Sequence, residues 1–265
     1  MRIIVPIKQV PDMSQVKFEI EKGKVDRSSA GVEINPFDLN ALEAAVQIKE
    51  GLGGHIIAIS MGPRRAESAL REALARGADG AVLLEDSRFA GADTLATSYT
   101  LASAIRKLGE FDLIICGEKT VDGDTGQVGP ELAEHLNIPH ISYVFKLEVQ
   151  SQKLVAVSDM SGQSYTIECQ FPALLTVTKD ANTPRLPTFR DKLKARQAKI
   201  EIWNARELST VADTSRFGAR GSPTKVWKVT IPSEAGRKGK IFPNSVDEAI
   251  TEIADNLLRC LNRKR

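Results

Sequence analysis

The segment FDLIICGEKTVDGDTGQVGPELAEHL, residues 111–136, decides the fold that we expect for this chain. It begins with a short apolar run, continues through a loop that contains four glycines, and ends in a helical pattern. A buried strand that leads through a short loop into a helix is the repeating unit of parallel α/β sheets. The segment therefore predicts one strand and one covering helix of such a sheet.

The same alternation of apolar runs and helical patterns continues towards the N-terminus. We predict buried parallel strands at residues 2–7, 55–60, 81–84, 112–116 and 141–144. Helices are predicted at residues 36–51, 64–76 and 93–108. Asn35 is the expected N-cap of the first helix and Pro36 its first residue. The predicted fold class is α/β, with a doubly wound, mostly parallel, Rossmann-like sheet.

The pattern changes after about residue 146. Period-two runs at residues 154–157, 165–169 and 173–178 predict antiparallel strands at the sheet edge, after a parallel core that is already complete. Residues 180–240 lack hydrophobic periodicity, so they cannot form a core alone. A last amphipathic helix is expected from Ser245, where Ser-Val-Asp-Glu matches a capping box.

These patterns divide the chain into a nucleotide-binding α/β domain at residues 1–180 and a C-terminal arm at residues 181–265. The arm ends in a helix whose apolar stripe needs a partner surface. The pattern alone leaves open whether the arm wraps around another subunit or folds back on its own domain.

Composition excludes several classes of protein. The chain has 265 residues, 42% hydrophobic side chains and a formal charge of only +2, without an aromatic-interleaved basic patch, so we expect no nucleic-acid partner. The three cysteines are far apart, which favours neither disulfides nor a metal site. No apolar run is long enough to span a membrane, and no signal peptide is recognisable, so we expect a soluble cytoplasmic protein without membrane insertion.

The loop at residues 117–129 suits a phosphate group, because glycines let successive N–H groups face one point and a helix N-terminus adds partial positive charge. It matches neither GxGxxG nor a Walker sequence, and ordinary turns and helix capping would explain the same glycines without a ligand. Asp122 and Asp124 should point away from a phosphate, since like charges repel. We expect no metal, because Ala133 stands where a calcium loop needs glutamate.

Four short segments resemble electron-transfer flavoprotein beta subunits: VPIKQVPD at residues 5–12, NPFD at 35–38, SMGP at 60–63 and the loop at 122–129. Their order and spacing match along nearly the whole chain. The resemblance implies an adenine nucleotide at the carboxyl edge of the sheet. It places the following residues at that site: Pro6, Asn35, Pro36, Phe37, Asp38, Met61, Cys116, Glu118, Lys119, Thr120, Val121, Asp122, Gly123, Asp124, Thr125, Gly126, Gln127, Val128 and Gly129.

Two types exist within that family. The housekeeping type holds a structural AMP, whereas the electron-bifurcating type holds a second FAD that accepts hydride from NADH. Gly123 and Gly126 stand where the housekeeping type has bulkier residues, so the loop is more similar to the bifurcating type and leaves room for a diphosphate. We therefore expect FAD, with AMP as the alternative, and NADH as the electron donor.

The resemblance also implies partners: an alpha subunit that carries a flavin, an acyl-CoA dehydrogenase-like flavoenzyme, and ferredoxin or flavodoxin as acceptor. Residues 184–195 resemble the family's recognition segment, with Phe189 at the position of the inserted apolar residue and Arg185 and Arg190 beside it. The cofactor would carry out the hydride chemistry, so no catalytic side chain is expected. The alternative of another class is a stand-alone ATP- or AMP-binding regulatory protein, which would not need an 80-residue arm.

Overall fold

The computed structural model describes residues 1–12, 17–19, 24–26, 31–150, 153–225, 227, 242 and 246–262. Contacts divide the chain into two compact units, Met1–Trp227 and Lys228–Arg265. The first unit therefore continues past residue 180, where the sequence placed the end of the α/β domain.

The first unit contains alternating strands and helices. Its strands are β1 Arg2–Pro6, β2 Gln9–Pro11, β3 Lys17–Glu19, β4 Lys24–Asp26, β5 Val32–Ile34, β6 His55–Met61, β7 Gly80–Leu84, β8 Leu113–Gly117, β9 His140–Val149, β10 Lys153–Met160, β11 Gln163–Gln170, β12 Ala173–Val177 and β13 Glu201–Trp203. Its helices are α1 Pro36–Leu52, α2 Glu67–Arg76, α3 Thr94–Leu108, α4 Val128–Leu136, α5 Phe189–Gln197, α6 Ala205–Leu208 and α7 Gly218–Gly221.

Nine strands form one sheet in the order β11-β10-β9-β12-β8-β1-β6-β7-β13. Seven neighbouring strands pair in parallel: β9, β12, β8, β1, β6, β7 and β13. At the other end of the sheet, β10 pairs antiparallel with β9 and β11. Both faces are covered. Ile3 and Val5 of β1 belong to the core beneath α1 and α2, and Ile4 belongs to the core beneath α3 and α4. The doubly wound fold predicted from the sequence is confirmed.

One strand was assigned wrongly from the sequence. β12 is an interior parallel strand between β8 and β9, and not an antiparallel strand at the edge. All five of its residues are buried because helices cover it on both faces, so the alternation of an edge strand does not apply to it. The parallel core is also not complete by residue 146, because β12 and β13 join it later. The antiparallel strands at the edge are β10 and β11.

The observed ends of the helices lie within a few residues of the predicted ends. α1 begins at Pro36 as predicted but ends at Leu52, with Gly53 as its C-cap. The predicted second helix is a 3-10 turn at Arg64–Ala66 followed by α2. Asp93 caps α3 by accepting a hydrogen bond from the N–H of Ala96 at 3.0 Å. These local signals therefore place the helices that lead into and out of the sheet.

Part of the predicted arm belongs to the first unit. α5 packs against α2, β13 pairs with β7, and Phe217 is buried against Phe89 in the core. The part of residues 181–265 up to Trp227 therefore packs on the α/β core of the same chain.

The second unit contains α8, Val246–Asn262, which confirms the predicted last helix. Ser245, its expected N-cap, lies outside the described residues. Its apolar side chains are exposed: Val246, Ile250, Ile253, Leu257 and Leu261. None of the described helices is long and apolar enough to cross a membrane.

Candidate functional site

The candidate site lies at the carboxyl edge of the sheet, where β1 and β8 end side by side. From β1 the chain winds through β6 and β7 in one direction, and it then returns to place β8 on the other side of β1. Such a switch point opens a crevice between neighbouring strand ends. Pro6 ends β1, Met61 ends β6, and Gly117 ends β8 just before the glycine-rich loop. The predicted site residues therefore converge on one edge.

Asn35 joins the start of α1 to the glycine-rich loop. Its side chain is fully buried; Nδ2 donates to the carbonyl of Lys119 at 2.8 Å, and Oδ1 accepts from the N–H of Val121 at 3.1 Å. A carboxamide offers one donor and one acceptor group, so it satisfies two backbone groups of the loop at once. The predicted side-chain cap is wrong: Asn35 occupies the N-cap position, but its side chain makes no capping bond.

Asp38, in the first turn of α1, links this helix to the ends of β1 and β8. Its Oδ2 accepts from the N–H of Lys8 at 2.7 Å, and the donor groups of Asn35 and Gly117 also lie near the carboxyl group. Burial raises the pKa of Asp38 to about 7, although these donors act in the opposite direction. A Cβ on Gly117 would lie 2.4 Å from Oδ1 of Asp38, so only glycine permits this close approach. Asp38 therefore holds β1, α1 and β8 together.

Both aspartates of the loop are paired with a lysine. Nζ of Lys8 lies 2.7 Å from Oδ1 of Asp122, and Nζ of Lys119 lies 2.8 Å from Oδ1 of Asp124. Partial burial would raise the pKa of Asp122, but the hydrogen bond and charge of Lys8 hold it below its usual value. Sequence reasoning missed Lys8, although it lies within the VPIKQVPD segment that pointed to the site.

The loop presents a row of backbone donors. Asp124 and Gly126 adopt positive φ values of 54° and 64°, which turn the chain into the N-terminus of α4. Within the described part of the chain, the N–H groups at residues 125–128 donate to no acceptor. Gln127 occupies the N-cap position without a side-chain cap. Successive free N–H groups at a helix N-terminus, with its partial positive charge, form an anion-binding arrangement.

Two residues of the predicted set have packing roles. A Cβ on Gly129 would lie 2.5 Å from Cγ2 of Thr176, so this glycine allows α4 to approach β12. Cys116 is buried, and burial together with the nearby Asp38 carboxyl group raises the pKa of its thiol far above the usual value. A thiol in this state is not a nucleophile at neutral pH. Both residues therefore serve the packing of α4 against the sheet.

The other predicted residues lie along the same edge. The carbonyl of Thr120 accepts from the N–H groups of Gly123 and Asp124, which closes a tight turn in the loop. Phe37 is half-buried, and Nζ of Lys119 lies 5.9 Å from its ring centroid. The remaining predicted positions follow the ends of the strands or line the loop: Pro6, Pro36, Met61, Glu118, Val121 and Thr125.

The segment that resembles a recognition element presents apolar side chains to solvent. Phe189, the first residue of α5, is 76% exposed, and Leu186 is 84% exposed. Arg190 is exposed beside them. Arg185, in contrast, lies 2.8 Å from Glu43 and 2.5 Å from Glu50 of α1. Its guanidinium group is therefore used within the chain, where it fixes the segment to α1.

Comparison with known proteins agrees with this geometry. Residues 22–208 match the family of the electron transfer flavoprotein domain. The chain is 43% identical to the electron transfer flavoprotein subunit beta of Thermoanaerobacterium thermosaccharolyticum, over 97% of this chain and 98% of that protein. Identity to the same subunit of Megasphaera elsdenii is also 43%, over 98% of each chain. Subunit CarD of the caffeyl-CoA reductase-Etf complex of Acetobacterium woodii is 39% identical, over 97% of this chain and 98% of that one. The chain therefore belongs to the electron transfer flavoprotein family and groups with its beta subunits.

Proposed function

We propose that this chain is the nucleotide-binding beta subunit of a heterodimeric electron-transfer flavoprotein. In this role it passes electrons between NADH, flavins and a partner acyl-CoA dehydrogenase or reductase. The observation that carries the proposal is the row of free N–H groups at residues 125–128, in the loop that leads from the end of β8 into α4. Phosphate groups of an adenine nucleotide fit such a row.

The donor set fits a phosphate-bearing cofactor because a lysine lies beside each of its two aspartates. Lys8 and Lys119 pair with Asp122 and Asp124, so neither carboxylate stands unpaired beside the free N–H groups. A Cβ on Gly126 would meet nothing closer than the carbonyl oxygen of Glu118, at 3.6 Å. Glycine at positions 123 and 126 adds no side chain to the loop, which supports FAD over AMP as the bound cofactor.

A bound FAD would supply the hydride chemistry, and the residues of this chain would bind and orient it. The N–H groups at residues 125–128 would hold the phosphates, while Asn35 and Asp38 keep the loop and the strand ends in register. No side chain of the site needs to act as an acid or base. Catalysis would therefore depend on placement and local charge.

We further propose that electrons from NADH divide between a low-potential acceptor, ferredoxin or flavodoxin, and the flavin of the alpha subunit. The glycines at positions 123 and 126 support this bifurcating type. The relative CarD is named as a subunit of a caffeyl-CoA reductase-Etf complex, which supports an acyl-CoA reductase or dehydrogenase as the second partner.

The C-terminal region supports assembly with other chains. The exposed apolar stripe of α8 suits a helix that packs on the alpha subunit, so we propose that the C-terminal arm wraps around that subunit. Phe189, with Arg190 beside it, suits docking to the dehydrogenase partner, because an exposed aromatic side chain next to a cation is typical of interface anchors.

The test is to purify the heterodimer with its alpha subunit and to quantify the released nucleotides. Two FAD per heterodimer would support the proposal. One FAD and one AMP would identify the housekeeping type, and the absence of any nucleotide from the beta subunit would refute the site. NADH-dependent reduction of ferredoxin, measured with and without the acyl-CoA partner and its substrate, tests bifurcation directly.

A pair of glycine variants localises the cofactor. Gly126 has φ +64° in the loop, and Gly162 has φ +76° in the turn between β10 and β11, with nothing within 4 Å of an added Cβ. Both substitutions by alanine impose similar backbone strain. We expect Gly126→Ala to lose the second nucleotide and Gly162→Ala to retain it. Equal retention would contradict the placement of the phosphates.

A further inference from the structure

An ion pair bridges the two strand ends that form the crevice. Lys8 follows β1, and Asp122 lies in the loop after β8; their Nζ and Oδ1 atoms are 2.7 Å apart. Nζ of Lys8 also lies 3.5 Å from Oγ1 of Thr120. The Lys8 side chain is 45% exposed and that of Asp122 is 20% exposed. The ammonium group therefore lies at the open surface of the crevice.

The backbone of Lys8 is fixed by hydrogen bonds, whereas its partly exposed side chain can change its position. The backbone N–H donates to Oδ2 of the buried Asp38 at 2.7 Å, and the backbone carbonyl accepts from the N–H of Asn35 at 2.9 Å. The long, flexible stem of lysine can move its charge while the backbone remains fixed. Lys8 thus combines a fixed anchor with a mobile cation.

Asp122 lies three residues before Thr125, the first of the free N–H donors. A phosphate held by those donors would lie near the Asp122 carboxylate and repel it. It would also attract the ammonium group, which is a compact charge that suits phosphate. Asp122 and a bound phosphate would therefore compete for the same cation.

We propose that Lys8 is a positioning residue that exchanges partners, with Asp122 as its counter-ion in the free site and the nucleotide phosphate as its counter-ion in the occupied site. The inference rests on the proposed nucleotide site and deepens it. It makes Lys8 a determinant of specificity for nucleoside diphosphates over uncharged nucleosides. It also makes Asp122 an internal competitor that weakens binding until the phosphate replaces it.

The experiment compares both halves of the pair in the full heterodimer after removal of bound nucleotide. The probes are ADP, AMP and adenosine, titrated by calorimetry. We expect Lys8→Met to weaken ADP binding roughly tenfold or more with little change for adenosine, since charged hydrogen bonds to phosphate are strong. We expect Asp122→Asn to tighten ADP binding several-fold, because it releases Lys8 and removes a negative charge.

Two further variants separate this role from a purely structural ion pair. At the amino edge of the sheet, Nζ of Lys49 lies 2.5 Å from Oδ1 of Asp79. Lys49→Met removes the cation of this pair and should leave ADP affinity unchanged. Lys8→Arg keeps the charge and should restore most of the affinity. Thermal unfolding of each variant shows whether it is folded.

The proposal is overturned if Lys8→Met and Asp122→Asn shift ADP affinity in the same direction, or if the loss in Lys8→Met is equal for ADP and adenosine. Those results would mean that the pair only stabilises the loop. A wild-type heterodimer that binds neither ADP nor AMP nor FAD at this subunit would instead refute the proposed function itself. Opposite shifts that grow with the number of phosphates support the exchange of partners.

Discussion

The contact between Gly129 and Thr176 sets how closely α4 approaches the sheet, and it can be perturbed by one methyl group. In Gly129→Ala the new Cβ would lie 2.5 Å from Cγ2 of Thr176. Carbon atoms in contact are normally about 3.5–4.0 Å apart, so the helix and strand must separate by about 1 Å or more. Thr176→Ser removes that methyl group but keeps the hydroxyl that accepts from the N–H of Tyr143 at 3.1 Å.

The change in the free energy of unfolding is the balance of two effects, overpacking and helix preference. Overpacking of a core costs about 1–3 kcal/mol, whereas alanine in place of glycine favours a helix by up to about 1 kcal/mol. We expect Gly129→Ala to lower the free energy of unfolding by about 1–2 kcal/mol, because the severe contact outweighs the helical preference. Thr176→Ser should cost about 1 kcal/mol for the lost methyl group. In the double variant the clash is absent, so the two effects should be coupled by at least about 1 kcal/mol.

Urea denaturation of the four proteins measures this coupling, and nucleotide affinity reports the position of the α4 N-terminus. Gly129→Ala should weaken nucleotide binding, and Thr176→Ser in the same chain should restore it. Gly51→Ala is the control, since an added Cβ there meets nothing within 4 Å, and it should be neutral or stabilising by up to about 1 kcal/mol. A Gly129→Ala variant as stable as wild type, or strictly additive double variants, would refute the reasoning.

Three further predictions concern the supports of the site. Asn35→Ala leaves two buried backbone groups unpaired and should cost about 2–4 kcal/mol in urea denaturation; a loss below about 0.5 kcal/mol would contradict this. Because burial raises the pKa of Asp38 from 3.8 to about 7, its contribution to stability is complete below about pH 4 and is lost as the pH rises through 7. Relative to Asp38→Asn, the wild type should lose up to about 4 kcal/mol between these limits, whereas a pH-independent difference would exclude the effect. Mass spectrometry after thiol labelling at pH 8 should find Cys260 modified and Cys116 unmodified until unfolding, and equal labelling would show that Cys116 is accessible.

Much of the fold was predictable because its signals are local. Strands such as β1 and β8 are short apolar runs, and helices such as α3 begin at a capping residue, so neighbouring residues alone indicate them. β12 was placed wrongly because a short apolar run looks the same at an edge or between two strands. Its position depends on which strands it pairs with, and pairing is a long-range property.

In the candidate site, too, local features were predictable from the sequence and long-range partners were not. The glycines of the loop and the NPFD turn, which the sequence singled out, lie at one edge of the sheet. Local rules predicted Asn35 as a helix cap, but its side chain bonds a loop 84 residues away. Arg185, which stays a predicted partner contact, is paired with Glu43, 142 residues away in the chain. Such partners are not encoded in nearby residues, so sequence reasoning could not find them.

The sequence by itself therefore determined strands β1, β6, β7 and β8, helices α1, α3 and α8, and the family, since hydrophobic periodicity, turn residues and short motifs are properties of contiguous residues. Only the tertiary structure decided that β8 returns to lie beside β1, which brings Lys8 to Asp122 across 114 residues. The physical reason is that the order of parallel strands is set by how helices pack on both faces of the whole sheet. The charges that meet in the crevice follow from that packing.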